Sequence, residues 1–474
     1  MAGRKKNKFF DKVFENVEIS GFAAEGKAIC RINDIVVFVK QAAPGDIVDL
    51  KITKARRNYL EGSIIKTHKE SSMRTQAFCE HFGTCGGCKW QHLKYEKQLE
   101  FKQQQVVDSI ERIGKIPNTE FELIPISGSK EITFYRNKLE YTFTDKRWLT
   151  SAEVNSDVQI KEKRALGFHV PGFFDKVMNI NKCYLQPEPS NEIRNYLKEY
   201  AINQDFEFYN IRENQGWLRN VVIRNNLKGE FMVNLVVTEE NDELQKLLND
   251  LASKFNAITS LFYTINNKKN SSISDLQPVL HKGDAYLQES IGSTTFQIGP
   301  NSFFQTNSVQ ANVLYSIAKD FAGLEGSETV YDLYTGAGTI ACYVASNAKK
   351  VIGIEYVEEA IIHAKENAAL NNINNTEFYC GDMSKILTNE FINDKGRPDV
   401  IITDPPRAGM HPDVVEQIIN SGAEKIIYVS CNPATQARDI NILSKLYKLE
   451  KLQAVDMFPH TQHVESVAML RLRK

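Results

Sequence analysis

From about residue 298 the chain alternates short apolar runs with helical segments. That alternation restricts it to a parallel sheet joined by right-handed crossovers. Val330 to Leu333, Lys350 to Glu355, Thr376 to Tyr379, Asp399 to Thr403 and Lys425 to Val429 read as strands. Glu359 to Asn371 reads as a helix, and residues near Leu449 to Met457 and Val464 to Arg471 are expected to close the sheet. Open sheets of this kind keep their ligands outside the carboxyl ends of the strands. The residues just after each apolar run are therefore the first candidates for chemistry.

Three of those strand ends carry unusual residues. After the first, Gly336-Ala337-Gly338 makes a tight turn into a helix, with Ala341 completing G-x-G-x-x-A and Glu355 nineteen residues beyond Gly336. A nicotinamide dinucleotide and S-adenosylmethionine both fit, because either offers a ribose hydroxyl to the acid. After the fourth strand comes Asp404-Pro405-Pro406-Arg407, a rigid loop poor in donors, which turns the choice toward methyl transfer. After the fifth comes Ser430-Cys431-Asn432-Pro433. A buried apolar cysteine is the ordinary fate of this residue type. Here it stands at the ligand edge, where a thiolate would be a nucleophile once its pKa, roughly 8.5 when free, is lowered.

The amino-terminal part differs. Phe14 to Ile19, Gly26 to Ile32, Ile35 to Val39, Asp46 to Lys54 and Tyr59 to Lys66 are short β-rich runs separated by turn residues, as in a small oligonucleotide-binding barrel. The overall charge is −1, yet residues 1–70 hold fourteen Lys or Arg against nine Asp or Glu. A local excess of cations is what a phosphate-binding surface needs. The segment resembles a TRAM domain, with Lys51, Lys54, Arg56 and Arg57 near one hairpin.

Next stands CEHFGTCGGCKWQH, with Cys79, Cys85 and Cys88 spaced to reach one metal centre. Cys183 is the best fourth ligand among the remaining cysteines. Zinc and an iron–sulfur cluster are both candidates, and the three-plus-one arrangement leans to iron–sulfur. Residues 92–113 come next as an amphipathic helix ended by Gly114 and Pro117. Leu218 to Arg224 and Phe231 to Thr238 read as a hairpin, and Glu240 to Phe255 as a helix. Arg136, Asn137, Lys138, Arg219 and Arg224 are candidate phosphate contacts.

DLYTGAGT, DPPRAG, SCNPATQARD and HVES, preceded by FFQTN at Phe303 to Asn307, resemble the iron–sulfur-containing RNA uracil-5 methyltransferases. The barrel and the cysteines match the same family, so the resemblance spans nearly the whole chain. It implies an oligonucleotide-binding-type TRAM barrel over 1–68, a central α+β iron–sulfur and RNA-binding domain over 69–297, and an α/β Rossmann-like methyltransferase domain over 298–474. The 92–113 helix is expected to pack on the last of these. The resemblance implies that Gln305, Tyr334, Gly336, Glu355, Asp382 and Asp404 contact S-adenosylmethionine. It makes Cys431 the nucleophile and Glu465, near His463, the base. It gives Cys79, Cys85, Cys88 and Cys183 a cluster, expected as 4Fe-4S. Thr339 departs from members that carry Asn at the cofactor.

The expected substrate is RNA, 23S ribosomal RNA first and transfer RNA second, with no DNA. Cytosine-5 enzymes place a second cysteine in the Asp-Pro loop, and DPPRAG has none. Amino-group methylases carry an aromatic residue where Arg407 stands. A non-catalytic iron–sulfur RNA-binding protein would not need Cys431, Asp404 and Glu465 together. No apolar run reaches the roughly 18 residues of a spanning helix, and the basic start MAGRKKNKFF lacks the apolar core of a signal peptide. A cytoplasmic monomer is expected.

Overall fold

The computed structural model describes residues 8–23, 26–156 and 160–473. The chain forms two compact units: Met1–Gln105 with Phe458–His463, and Val106–Met457 with Val464–Lys474. Among the described residues no helix is long and apolar enough to cross a membrane.

The first unit contains the barrel: β1 Val13–Glu18, β2 Gly21–Phe22, β3 Ala28–Ile32, β4 Ile35–Val39, β5 Ile47–Ala55 and β6 Tyr59–Lys69. Their order is β1-β5-β6-β4-β3-β2, with β4 and β6 parallel. Alternate residues of β3, β4 and β5 turn inward, so Cys30, Val37, Val39, Val48, Leu50 and Ile52 make its core. Buried Asp46 ties the turn before β5 together: it accepts from the Ala43 and Ser71 amides and from Arg74. Those bonds outweigh its burial and hold its carboxyl below the usual carboxylate range. Trp90, Leu93 and Ala43 form a second small core in this unit. The Phe458–His463 segment is held there by Gln98, whose side chain accepts from the His460 amide.

The second unit contains two large sheets. The seven-stranded one has the order β10-β9-β8-β11-β12-β13-β14. Its strands are β8 Lys138–Thr144, β9 Ala165–His169, β10 Val177–Asn179, β11 Leu218–Asn225, β12 Phe231–Val237, β13 Ile258–Ile265 and β14 Val279–Gly283. β11 and β12 are the hairpin expected from the sequence, and the expected helix lies at Asp242–Lys254, capped by Asn241. A short hairpin, β15 Leu287–Ile291 with β16 Thr294–Ile298, leads to the helix Ser308–Ala322.

The eight-stranded sheet has the order β19-β18-β17-β20-β21-β23-β22-β7. It uses β17 Thr329–Leu333, β18 Lys350–Glu355, β19 Thr376–Cys380, β20 Val400–Thr403, β21 Lys425–Ser430, β22 Tyr447–Val455 and β23 Glu465–Leu472. Every strand expected from the sequence is present. The eighth was not foreseen: β7, Glu122–Ser127, pairs parallel with β22 on the outer edge. Its sequence, ELIPIS, carries a proline, which demotes a run when read alone but suits an edge strand.

The helix Tyr95–Arg112 straddles the division of the chain. Its carboxyl half, through buried Val106 and Ile110, joins the core cluster that holds Tyr331, Ile352, Ile401 and Tyr428 of the eight-stranded sheet. Ile110→Ala should therefore destabilise the second unit by about 2–5 kcal/mol. Ile113→Ala, at a 41% exposed position, should cost less than about 0.5 kcal/mol. Denaturant titration of both variants measures the difference.

Candidate active site

The strand register gathers the candidate residues along one edge. In the parallel pairing Leu333 of β17 stands opposite Thr403 of β20 and Ile354 of β18, so Tyr334, Asp404 and Glu355 are the next residues of three adjacent strands. Glu355 in turn faces Cys380 of β19, two residues before Asp382. On the other side β23 runs antiparallel to β21, with Ser430 opposite Ser466. Cys431 follows Ser430 and Glu465 precedes Ser466, so the next residue of each strand is a candidate, and the Glu465 charge acts on the Cys431 thiol. An antiparallel strand thus starts where its parallel neighbours end. The strand order reverses between β17 and β20, the crevice where such sheets bind ligands.

The Gly-rich turn is shaped by backbone strain and two acids. Tyr334 has φ 63°, Gly336 φ 55° and Gly338 φ 75°. A side chain on Gly338 would come within 2.9 Å of Ala364, so the close approach of the next helix requires glycine there. Buried Asp332 accepts from the Thr335 hydroxyl (2.5 Å) and the Ala341 amide (3.0 Å). Its other oxygen has no partner among the described residues. Glu355 accepts from the amides of Gly336 (3.2 Å), Tyr356 (2.8 Å) and Val357 (3.0 Å). Open space lies where a Gly336 side chain would stand. The turn can therefore take a ribose against Glu355, which is the fit an adenosyl cofactor needs. Thr339 bonds the Tyr315 hydroxyl at 3.1 Å.

The loop after β20 is fastened to the loop after β21. The Arg407 carbonyl accepts from Asn432 Nδ2 (2.9 Å) and the Thr435 hydroxyl (3.2 Å). Buried Asp439 accepts from the Met410 amide (2.9 Å), the Tyr428 hydroxyl (2.7 Å) and Arg438 (2.8 Å). Asp404 and Cys431 are thus held by one scaffold. Asp439 went unremarked in the sequence, although it lies within SCNPATQARD; a buried acid cannot be told from an exposed one without its partners.

Burial and mutual repulsion raise the acids along this edge. Burial pushes Asp404 up to about 7, helped by Asp332. Burial first, then the Asp404 charge, pushes Glu465 up to about 8, while Arg407 pulls it down. Burial, then Glu465 and Asp404, pushes the Cys431 thiol up to about 11, with Arg407 again opposing. Asp332 rises to about 7 by burial. Four acids in one field are the arrangement expected where proton transfer is done.

Gln305 and its loop reach the same edge. Asn307 donates to the Met457 carbonyl (3.0 Å), just past the end of β22, and Gln310 to the Asp456 carbonyl (2.9 Å). From the other side Asn137 donates to the Gln305 carbonyl (2.9 Å) through its side chain and to the Thr306 carbonyl (2.9 Å) through its amide. Arg224 holds the Ser302 carbonyl at 2.5 Å. This corrects the reading of Asn137, Arg219 and Arg224 as phosphate contacts. All three are buried, and Arg219 is spent on the carbonyls of Asn266, Lys268 and Asn270. Asp382 is half-buried, and its carboxylate caps a short helix by accepting from the Ser384 amide and hydroxyl.

The cysteines are a different matter. None of the eight forms a disulfide. Cys79, Cys85 and Cys88 lie in the first unit and Cys183 in the second. Among the described residues no three His, Cys, Asp or Glu side chains are close enough to hold a metal ion. Sequence spacing sets which thiols can meet, not whether their side chains converge without the metal.

Comparison with known proteins agrees with this architecture. Residues 225–473 match the family model described as tRNA (uracil-5-)-methyltransferase, and residues 15–65 match the TRAM domain. An uncharacterized RNA methyltransferase of Bacteroides thetaiotaomicron is 54% identical over 455 residues, covering 95% of this chain and all of that one. A second, of Porphyromonas gingivalis, is 49% identical over 462 residues, covering 96% and 99%. Among solved structures, the Pyrococcus abyssi tRNA (uracil-54, C5)-methyltransferase in complex with S-adenosyl-L-homocysteine superimposes with a TM-score of 0.74 at 29% identity. The match covers 96% of this chain and 100% of that one. With a Gly-rich turn at the switch point and a cysteine after the fifth parallel strand, this chain belongs to the RNA uracil-5 methyltransferase family and is an S-adenosylmethionine-dependent RNA methyltransferase with a TRAM domain.

Proposed function

We propose that this enzyme methylates carbon 5 of a uridine in 23S ribosomal RNA through a covalent bond between Cys431 and carbon 6. The observation that carries the chemistry is the β21–β23 register, whose last pair, Ser430–Ser466, leaves Cys431 and Glu465 as the next residue of each strand. The ribosomal target is supported by the likeness of the whole motif set, barrel included, to the iron–sulfur-containing members of the family. A transfer RNA target is the second reading, favoured by the Pyrococcus neighbour.

Carbon 5 of uracil is a poor nucleophile. Cys431 rests as the thiol; when it loses its proton to solvent and adds as the thiolate to carbon 6, carbon 5 gains enolate character and can take a methyl group. S-adenosylmethionine supplies that group as an electrophile. Gln305, Tyr334, Gly336, Glu355, Asp382 and Asp404 are the residues proposed to hold it. Glu465 then removes the carbon 5 proton, the carbon 5–carbon 6 double bond re-forms, and the thiolate leaves. Arg407 favours both anions, the thiolate and the carboxylate. A paired base is out of reach of these groups, so the target uridine must be unpaired or flipped out.

Transfer from labelled donor to ribosomal RNA and to transfer RNA, measured side by side, tests the target. Label in transfer RNA alone would overturn the ribosomal reading. The same assay divides the cycle. Cys431→Ala should abolish transfer and leave no adduct. Glu465→Gln should attack and methylate but fail to release, giving a slow RNA–protein band on a denaturing gel and turnover lowered roughly a hundred- to ten-thousand-fold. Full turnover by either variant would sink its assigned role.

Glu465 must be ionised to act as a base, so kcat/KM should rise as pH climbs through about 8, its raised value. The neighbouring acids titrate with it, and the apparent value belongs to the set. Arg407 lowers both Glu465 and Cys431. Arg407→Gln removes that help, both pKa values rise, and the acid limb of the profile should move to higher pH. An unmoved limb would show that Arg407 does not act on these groups.

We further propose that Cys79, Cys85, Cys88 and Cys183 bind an iron–sulfur cluster, a reading supported by the C-x5-C-x2-C spacing and the family likeness. Protein purified without air should be brown and contain iron and sulfide, and Cys85→Ser should lose both. Stoichiometric zinc with no iron would overturn it.

A further inference from the structure

The turn between β9 and β10, on the edge of the seven-stranded sheet, holds an aromatic surface that the reaction does not use. Its sequence is VPGFFDK, and Gly172 takes φ 89° to make the turn. Phe173 is 47% exposed and Phe174 62%. Exposed phenylalanines side by side at a hairpin tip are costly to leave in water, and such patches mark interaction sites.

The rings are held rather than loose. Phe173 lies against Trp148, with ring centroids 5.1 Å apart. The Trp148 amide donates to the Val177 carbonyl at 2.7 Å, which fixes its loop to β10. On the other side the Arg212 guanidinium stands 5.0 Å from the centre of the Phe174 ring. It is placed there by an ion pair with buried Asp175 at 2.5 Å. Trp148 with Phe173, and Arg212 with Phe174, thus form two braced pairs of flat groups at the hairpin tip.

Lysines lie beside the rings in the chain, Lys146 two residues before Trp148 and Lys176 two after Phe174, while the Arg147 guanidinium is paired with Glu153 at 2.7 Å. The Arg147 amide donates to the Lys163 carbonyl at 2.9 Å. The Lys176 carbonyl closes the turn by accepting from the Val170 amide at 3.0 Å. Flat rings with lysines beside them in the chain suit nucleobases on a phosphate backbone better than an apolar protein face, because every base offers a π-face and the backbone carries the charge.

We propose that Trp148, Phe173, Phe174 and Arg212 form a stacking platform for an unpaired stretch of the RNA, outside the catalytic edge. This rests on the RNA-methylating function and adds a second point of contact to it. The platform holds two or three bases and is tolerant of their identity. It would keep a single-stranded segment extended while the target uridine is presented elsewhere in the same unit.

The test uses the full-length protein and a fluorescent oligouridylate of about 16 nucleotides. Binding should quench the emission of Trp148, a signal missing in Trp148→Phe. Phe173→Ala/Phe174→Ala should lower affinity for the oligonucleotide by about five- to a hundredfold, the loss of one to two stacked bases. Phe173→Tyr/Phe174→Tyr should restore it. Affinity for S-adenosylhomocysteine should be unchanged in all variants, which shows that they fold. Affinity within twofold of the parent in the double alanine variant would overturn the platform. So would a parent dimer that this variant turns into monomer while RNA binding persists, since the patch would then join two copies. If the parent binds the oligonucleotide through these rings but transfers no methyl group to any RNA, the platform stands and the proposed reaction fails.

Discussion

The rest of the site depends on the pairing of β21 with β23. Parallel strands deliver their carboxyl ends to one edge, and each can offer only the residues directly after it in the chain. A strand entering the sheet from that edge is the way to add a group that begins a strand. β23 does so, and Glu465 and Cys431 are the next residue of each strand beyond the Ser430–Ser466 pair. Because side chains alternate along a strand, a slip of one residue would send Glu465 to the opposite face. Register is held firmly here, since Val467, Ala468 and Leu470 of β23 are all buried.

The second constraint is electrostatic. Asp332, Asp404, Glu465 and Cys431 share one buried region, and burial raises all four. Ionising any of them costs the fold stability, since the folded state favours the protonated form. For acids raised in this way the loss begins above the unfolded pKa, near 4, and grows as pH rises through 7 to 8. In the proposed mechanism the cost has a use, because a carboxyl near 8 is a base strong enough to take a proton from carbon. Arg407, on a loop tied by its own carbonyl to Asn432 and Thr435, is the local counterweight.

The site is not built by the α/β part alone. The Gln305 loop hangs between β22, through Asn307 and Gln310, and the central sheet, through Asn137 and Arg224. Gln305, proposed to hold the cofactor, is thus positioned by the Asn137 side chain, 168 positions earlier in sequence. β7 adds to this, since a segment far before the catalytic strands completes their sheet. Central and catalytic regions are therefore joined by backbone pairing and by buried donors, not by a simple linker.

The sequence alone determined the strand–helix alternation, the turn at Gly336 to Gly338, and the order Asp404, Cys431, Glu465. These are local: strand ends, glycines and proline loops act over a few residues, and parallel topology then sends them to one edge. The small barrel was legible for the same reason, from turn residues between β-rich runs. Tertiary structure alone decided what the buried polar residues do. Arg219, Arg224 and Asn137 read as phosphate contacts, and only their neighbours show them satisfying carbonyls. An arginine looks the same in sequence whether it faces a phosphate or a loop. The same limit holds for β7, whose proline hides an edge strand, and for the cysteines, whose spacing does not fix the direction of their side chains. It holds too for Phe173 and Phe174: that they stand outward, braced by Trp148 and Arg212, depends on contacts between loops 25 to 38 residues apart.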